Sequence, residues 1–448
     1  MKRDIEEVEV SITSKELLVK KYFAGFNDDN KAFTNITITT SLPIINAKAE
    51  DKLGNLNTYF ERTINNQTSL DTQFRKPIQP NEKFSYKLTL LIDDSFIERI
   101  GNIKILNWPV ENITKIWLEN QELFFSSALS TIKKHNSSYE LIPTTDSRQL
   151  ISHSRKSSAI RIEYGSPLNY HFEIFYTLLN GSPVTCTDVD IAMHLPTTTK
   201  YQSVKLISAP ENSELISDKD KNSILKIHYP EIQANQTITN RIVLQIRPMK
   251  QFIDFETRLG DFKHYVNLTS EGTLGSELIT SGKYWPINDS KITELVRAAI
   301  KGYTETSDIV QLLFEFVNQK IKYEMNFERQ PANVALETRR GDCSEMSDLF
   351  VTLLRRARIP ARSVLGWIFS PKTNSLEGHA WAEYFTPNHG WIQCDPTWGF
   401  LAGVSCQHIC RMREGVNTGI ADSSVNYKSK NGNGKLRIIE EDRIIKIT

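Results

Sequence analysis

A chain of 448 residues exceeds what one ordinary core holds, so about three domains are expected. Its 54 basic and 53 acidic side chains nearly cancel, which removes the electrostatic case for nucleic acid or an anionic membrane as a partner. Five cysteines are too few, and odd in number, for a disulfide framework.

The first residues, MKRDIEEVEV, are charged and lack the apolar core of a secretory leader, and no apolar run reaches the roughly 18 residues a membrane helix needs. The expectation is a cytoplasmic protein whose oligomeric state the sequence does not set. From Val8 to about Leu141 the apolar segments are short and β-rich (VEVSI, LLVKKYF, FTNITITTSL, FSYKLTLLI), with polar turns between them. That texture predicts an antiparallel β-sandwich-like domain over residues 1–145, closed by the turn-rich stretch at Pro143–Ser147. A second block (AIRIEYG, YHFEIFYTLL, DVDIAMHLP, QSVKLIS, ILKIHYP, TITNRIVLQI) alternates apolar and polar residues and predicts an Ig-like sandwich over 146–250. No internal repeat makes these blocks copies, and neither holds a constellation with a chemical purpose. They read as packing and spacer modules, or as modules that present or gate substrate. The sequons at Asn35, Asn66, Asn112 and Asn267 are what chance supplies in a chain rich in Asn, Ser and Thr.

Residues 251–288 form a connecting segment, and helices follow. Asp289 or Ser290 caps KITELVRAAIKG; in IVQLLFEFVNQKI, Ile309, Leu312, Leu313, Phe316 and Val317 share one face. A third helix is predicted from Cys343, where Met346, Leu349, Phe350, Leu353 and Leu354 recur three and four apart until Pro360, with Gly341 taking up the turn ahead. ARSVLGWIF then reads as a strand. HAWAEYF and GWIQCD flank the turn Pro387-Asn388-His389-Gly390 as a β-hairpin, which brings His379 and Asp395 within about one or two residues of facing each other. The catalytic region spans 289–420. Residues 421–448 read as a flexible tail, with a linker at Lys428–Lys435 and an edge strand at RIIKIT.

These placements suit thiol chemistry. A thiolate is the attacking species, and a helix N-terminus favours negative charge and offers N–H groups to an oxyanion. Cys343 takes the nucleophile's place, His379 that of the base, and Asp395 that of the group that orients the ring.

Gly341-Asp342-Cys343-Ser344-Glu345, Leu349-Phe350 with Leu353-Leu354-Arg355, Ile359-Pro360-Ala361-Arg362, Gly378-His379-Ala380-Trp381, and Trp391 through Asp395-Pro396-Thr397 stand in the order of the transglutaminase-like superfamily, which this region resembles from about Ile292 to Gly399. The resemblance implies a papain-like α+β domain behind the two β-sandwiches, and carries the nucleophile, base and acid onto Cys343, His379 and Asp395. It does not choose the reaction, because the superfamily holds cross-linking enzymes, peptidases, peptide N-glycanases and amide-forming acyltransferases.

Three functions remain in view: a thiol hydrolase cleaving amides in peptides or proteins, an acyltransferase passing the acyl group to an amine, and a non-catalytic binding module. The absence of an amine-site signature favours the hydrolase, and nothing reads as the carbohydrate site of a glycan-releasing amidase. Trp381 and Trp398 are expected to line the acyl cleft, with Trp391 nearby, or else to wall the core. The first oxyanion donor is expected to be the Cys343 N–H, the second one of Tyr323, Gln330 and Asn333. Cys394, beside Asp395 on a strand, should point to the opposite face. Cys406, His408 and Cys410 form a C-x-H-x-C run, but three ligands leave a structural zinc incomplete; they read as buried residues. No acidic calcium loop is seen, so no metal or other cofactor is expected. His389 reads as solvated in its turn, and Arg339-Arg340 and Arg355-Arg356 as charge on a solvated face.

Overall fold

A computed structural model describes residues 2–13, 16–62, 67–109, 113–119, 123–129, 139–143, 148–153, 159–251, 276–326, 328–387, 389–415, 422–429 and 432–448. Most of the expected boundary after Pro143, most of the connecting segment (252–275) and the sequons at Asn66, Asn112 and Asn267 lie outside the described residues. The chain forms two compact units, residues 1–99 with 103–166, and residues 100–102 with 167–448.

Apart from a 3-10 turn at Asp94–Phe96, the regular structure among the first unit's described residues is all strand. One sheet runs through ten strands, and a second has four, Leu123–Leu129, Ala159–Gly165, Ile103–Pro109 and Glu98–Ile100. Strict alternation drives the burial: along Leu17–Phe26 and Lys83–Ile92 every second side chain is buried, so Leu17, Val19, Phe23, Tyr86, Leu88, Leu90 and Ile92 share a core. The pairing departs from the purely antiparallel expectation at one place, where Lys2–Ile12 runs parallel to Ile113–Glu119.

The second unit begins with a sandwich of two four-stranded antiparallel sheets. Its strands are β1 (Tyr170–Asn180), β2 (Cys186–Leu195), β3 (Gln202–Ser208), β4 (Ser213–Ser217), β5 (Ser223–Ile232) and β6 (Thr237–Pro248). Helices α1 (Ser290–Ala299), α2 (Thr306–Lys320), α3 (Ala332–Thr338) and α4 (Cys343–Arg356) follow. An antiparallel sheet succeeds them, built from β7 (Ala361–Ser370), β8 (Ser375–Thr386), β9 (Gly390–Cys394) and β10 (His408–Glu414) in the order β9-β8-β7-β10.

The expected tail is different in kind. Residues Ser423–Ser429 (β11) and Leu436–Ile447 (β12) each complete one sheet of the sandwich, β11 on β2 and β12 along the whole of β1, from Tyr170 opposite Ile447 to Asn180 opposite Leu436. The alternation that makes RIIKIT a strand extends back through LRIIEED, and β1 supplies an open edge for it to pair with.

Asp289 is the cap of α1, accepting from the amides of Lys291 and Ile292. Helix α4 packs against α1, α2 and α3 as well as β7 and β8, and Leu349, Phe350, Leu353 and Leu354 meet Leu313, Val317 and Trp285 in one core. None of the described helices is long and apolar enough to cross a membrane.

Candidate active site

Cys343 is the first residue of α4. Asp342 caps the helix, its Oδ1 accepting from Ser344 N at 2.8 Å, while Glu345 Oε2 accepts from Asp342 N at 2.9 Å, so the two form a capping box. The Asp-x-x-Glu spacing is the sequence signal of this box. Glu345, 1% exposed, also accepts from Gln330 N at 2.8 Å and Asn326 Nδ2 at 2.7 Å, fastening that segment to the helix mouth. Gly341 serves this packing rather than a turn: a Cβ there would lie 2.6 Å from that of Glu345.

His379 lies on β8 opposite Gly366 of β7, and Ser347 Oγ on α4 donates to Ala380 O at 3.1 Å, tying the helix of Cys343 to the strand of His379. His379 Nε2 donates to Asp395 Oδ2 at 2.8 Å. Asp395 closes β9 by a bridge to Phe400 and is fully buried. Its Oδ1 accepts from the amides of Thr397 and Trp398 at 2.8 and 3.1 Å, and its Oδ2 accepts a second imidazole, His408 Nε2, at 3.0 Å. Burial alone would raise the Asp395 carboxyl, but the charge and hydrogen bond of His379 and the bond from His408 hold it well below the usual carboxylate range. Burial likewise works against a charged His379, yet Asp395 and then Cys343 outweigh it and push the imidazole up to about 10. With Nε2 spent on Asp395, Nδ1 is the nitrogen left to face the thiol.

Three expectations need correction. Trp381, expected to line the cleft, is fully buried with Val364, Val404 and Cys410, and its ring lies nearly parallel to His379 at 6.1 Å, so it supports the imidazole from the core side. Trp398 keeps exposed surface, 6.0 Å from His379 on ring centres, whereas Trp391 packs on Phe385 and under Arg362. Arg355 does not coat a solvated face: it is 1% exposed, lies over Trp285 and donates to the carbonyls of Ala361, Thr280 and Gly415. His389, expected in solvent, is half-buried with Nε2 shielded.

The C-x-H-x-C run is not brought together as a ligand set among the described residues. Of its three members only His408 joins a group of metal-competent side chains, with His379 and Asp395, whose donor atoms lie within 4.8 Å of one another. Of the proposed oxyanion donors, Asn333 turns to Asp289, and Gln330 gives its backbone N–H to Glu345 and its side-chain Nε2 to Glu328 O, whereas Tyr323 pairs with Gly341 and stands close enough to Cys343 that, after burial, that residue's charge is the next influence raising its hydroxyl.

Cys186, Cys394, Cys406 and Cys410 are buried and outside any disulfide, while Cys343 is half-buried. Burial raises Cys186, pushes Cys410 up to about 12 and lifts Cys394 well above the ordinary thiol range. Brief iodoacetamide treatment of the native protein at neutral pH is therefore expected to modify Cys343 alone. Peptide mapping that finds a second cysteine modified at a comparable rate contradicts this burial pattern.

Residues 293–396 match the model of the transglutaminase-like superfamily, and this segment is a transglutaminase-like domain. The chain is 39% identical over 70 residues to a protein-glutamine gamma-glutamyltransferase of Pseudomonas aeruginosa, a match covering 14% of this chain and 10% of that protein. It is 31% identical over 99 residues to the uncharacterized protein YebA of Bacillus subtilis, covering 19% and 13%. The match thus spans only about a tenth of the length of each relative. Among solved structures it is similar to a candidate cysteine protease from Cytophaga hutchinsonii (TM-score 0.43, 16% identity, 63% of this chain and 92% of that one) and to the periplasmic domain of TgpA from Pseudomonas aeruginosa bound to ethylmercury (TM-score 0.29, 14% identity, 51% and 90%).

Proposed function

We propose that this protein is a thiol-dependent amide hydrolase acting on peptides or proteins, with Cys343 as nucleophile, His379 as proton carrier and Asp395 as the group that orients it. The observation that carries the proposal is a fully buried Asp395 holding the His379 imidazole at 2.8 Å, its charge raising that ring's pKa, beside a half-buried thiol at the mouth of α4.

The protonation state sets the order of events. His379 enters as the imidazolium, and the positive charge beside the thiol favours the thiolate, which attacks the amide carbonyl. The oxyanion meets the Cys343 N–H at the helix mouth, with the Tyr323 hydroxyl as the second donor. His379 Nδ1–H then protonates the departing amine. In the second half, the neutral ring takes a proton from water as it attacks the thioester, and expulsion of the thiolate restores the ion pair. Asp395 stays ionised throughout.

Openness of the site supports water as acceptor. Gly378, beside His379, is exposed with nothing within 4 Å of where a Cβ would stand, and Tyr323 is 50% exposed. A transferase must shield its thioester from water. The second reading, acyl transfer to an amine, draws support from the name of the Pseudomonas relative. Five cysteines with no disulfide among them suit a reducing compartment.

Mass spectrometry of a peptide mixture treated with the wild type or Cys343→Ala, with and without a primary amine, tests both readings. Cleavage or deamidation that requires Cys343 and ignores the amine is expected. Amine incorporation instead would select the transferase, and labelling or cleavage that persists in Cys343→Ala would remove the thiol mechanism altogether.

A further inference from the structure

The second histidine on Asp395 has no part in the reaction as written. His408 opens β10, the edge strand of the catalytic sheet, and is fully buried among Trp381, Trp398 and Phe400, whose ring centres lie 5.1, 5.3 and 6.1 Å from its own. Because Asp395 is ionised it can only accept, so His408 must carry its proton on Nε2 and donate it. Both imidazoles thus meet one oxygen, Oδ2, while Oδ1 is taken by two backbone amides.

The strand that delivers His408 is held from outside the catalytic domain. The Gln202 side chain on β3 bonds Cys410 in both directions, Nε2 to Cys410 O at 2.8 Å and Cys410 N to Oε1 at 2.9 Å, and Asn222, just before β5, does the same for Arg413 at 2.9 and 2.8 Å. Tyr170 of β1 donates to Cys406 O at 3.0 Å. The two amide side chains act as substitute strand partners for a buried sheet edge. All seven residues of β10 are buried, so the strand has little room to shift.

We propose that His408 is a positioning residue of this site: it fixes the Asp395 carboxylate in the orientation that holds His379, and the second sandwich, through Gln202 and Tyr170, fixes His408. The proposal rests on the thiol reading above. It assigns the sandwich a share in the active site rather than a spacer's role. A hydrogen bond to a charged group carries enough free energy that its loss is expected to slow the reaction by about 10- to 100-fold.

The test measures the rate of Cys343 alkylation by iodoacetamide near pH 6 in the full chain, with His379→Ala as the control for the thiol reading. A glutamine amide nitrogen reaches about where imidazole Nε2 sits and an asparagine nitrogen about where Nδ1 sits. His408→Phe and His408→Asn are therefore expected to be about 10- to 100-fold slow, His408→Gln within about threefold of wild type, and none of the three to lower the rate further on an Asp395→Asn background. Equal rates for His408→Asn and wild type, or equal losses for His408→Gln and His408→Asn, overturn the proposal, as does a loss that persists without the Asp395 carboxylate. If His408→Phe does not fold, the Asn and Gln pair decides. If His379→Ala alkylates as fast as wild type, the thiol reading itself has failed, which is a separate outcome.

Discussion

Asp395→Asn is expected to lower acylation of Cys343 by about three to four orders of magnitude while leaving the fold intact. An amide has the shape of the carboxylate but only one acceptor oxygen. Oδ1 already accepts the amides of Thr397 and Trp398, so the substituted NH₂ falls on the side where both imidazoles donate. Two donors then meet a donor. His379 relieves the clash by becoming neutral and shifting its proton to Nδ1, the tautomer that cannot accept from a nucleophile. Single-turnover acylation, with circular dichroism to confirm folding, measures the effect. A loss below tenfold would remove Asp395 from the mechanism.

The same pair sets a pH window. The value of about 10 for His379 lies above its ordinary 6.5, so its pairing adds stability that is complete below about pH 6.5 and is lost as pH rises through about 10. Asp395 is depressed, so its contribution is complete above the ordinary carboxylate range, about pH 4, and is lost only in strong acid. Both contributions are whole between these limits, and the imidazolium persists well beyond the upper one.

The parts of this site written in local pattern were legible in sequence. The periodicity from Met346 to Leu354 gave the helix and put Cys343 at its mouth, and the turn before Gly390 gave the hairpin that carries His379 to Asp395. What escaped was set by tertiary pairing. His408 stands next to Asp395 because β10 returns along β7, opposite the strand that carries His379, and no spacing along the chain encodes that return. Trp381 shares the face of His379 by parity, yet the ring is sealed by Val364 and Val404 from other segments. The tail's two strands were half visible, because an alternating segment becomes a strand only when an open edge exists, and the edges of β1 and β2 lie more than 200 residues earlier.

The same blindness hid a charge network, and Asp348→Ala is expected to lower stability by about 3–5 kcal/mol through it. Asp348 lies in the second turn of α4. It is fully buried and accepts four hydrogen bonds: Arg329 Nε at 2.7 Å and Nη2 at 2.9 Å, Trp285 Nε1 at 2.8 Å and Ser363 Oγ at 2.7 Å. Arg329 reaches on to Glu414 at the end of β10 at 2.5 Å. One carboxylate thus joins the helix of Cys343, the segment ahead of α3 and the strand that carries His408. Removing it leaves two donors of Arg329 without an acceptor in a dry site, together with the indole N–H and the serine hydroxyl, and the cost is that of unpaired buried polar groups rather than of a lost surface ion pair. Thermal unfolding should show a midpoint lower by on the order of 10 °C. Asp348→Asn should recover only part of this, since it keeps one acceptor oxygen and restores no charge. If Asp348→Ala unfolded within about 2 °C of wild type, the network would be ornament, and α4 would owe its place to its apolar faces alone.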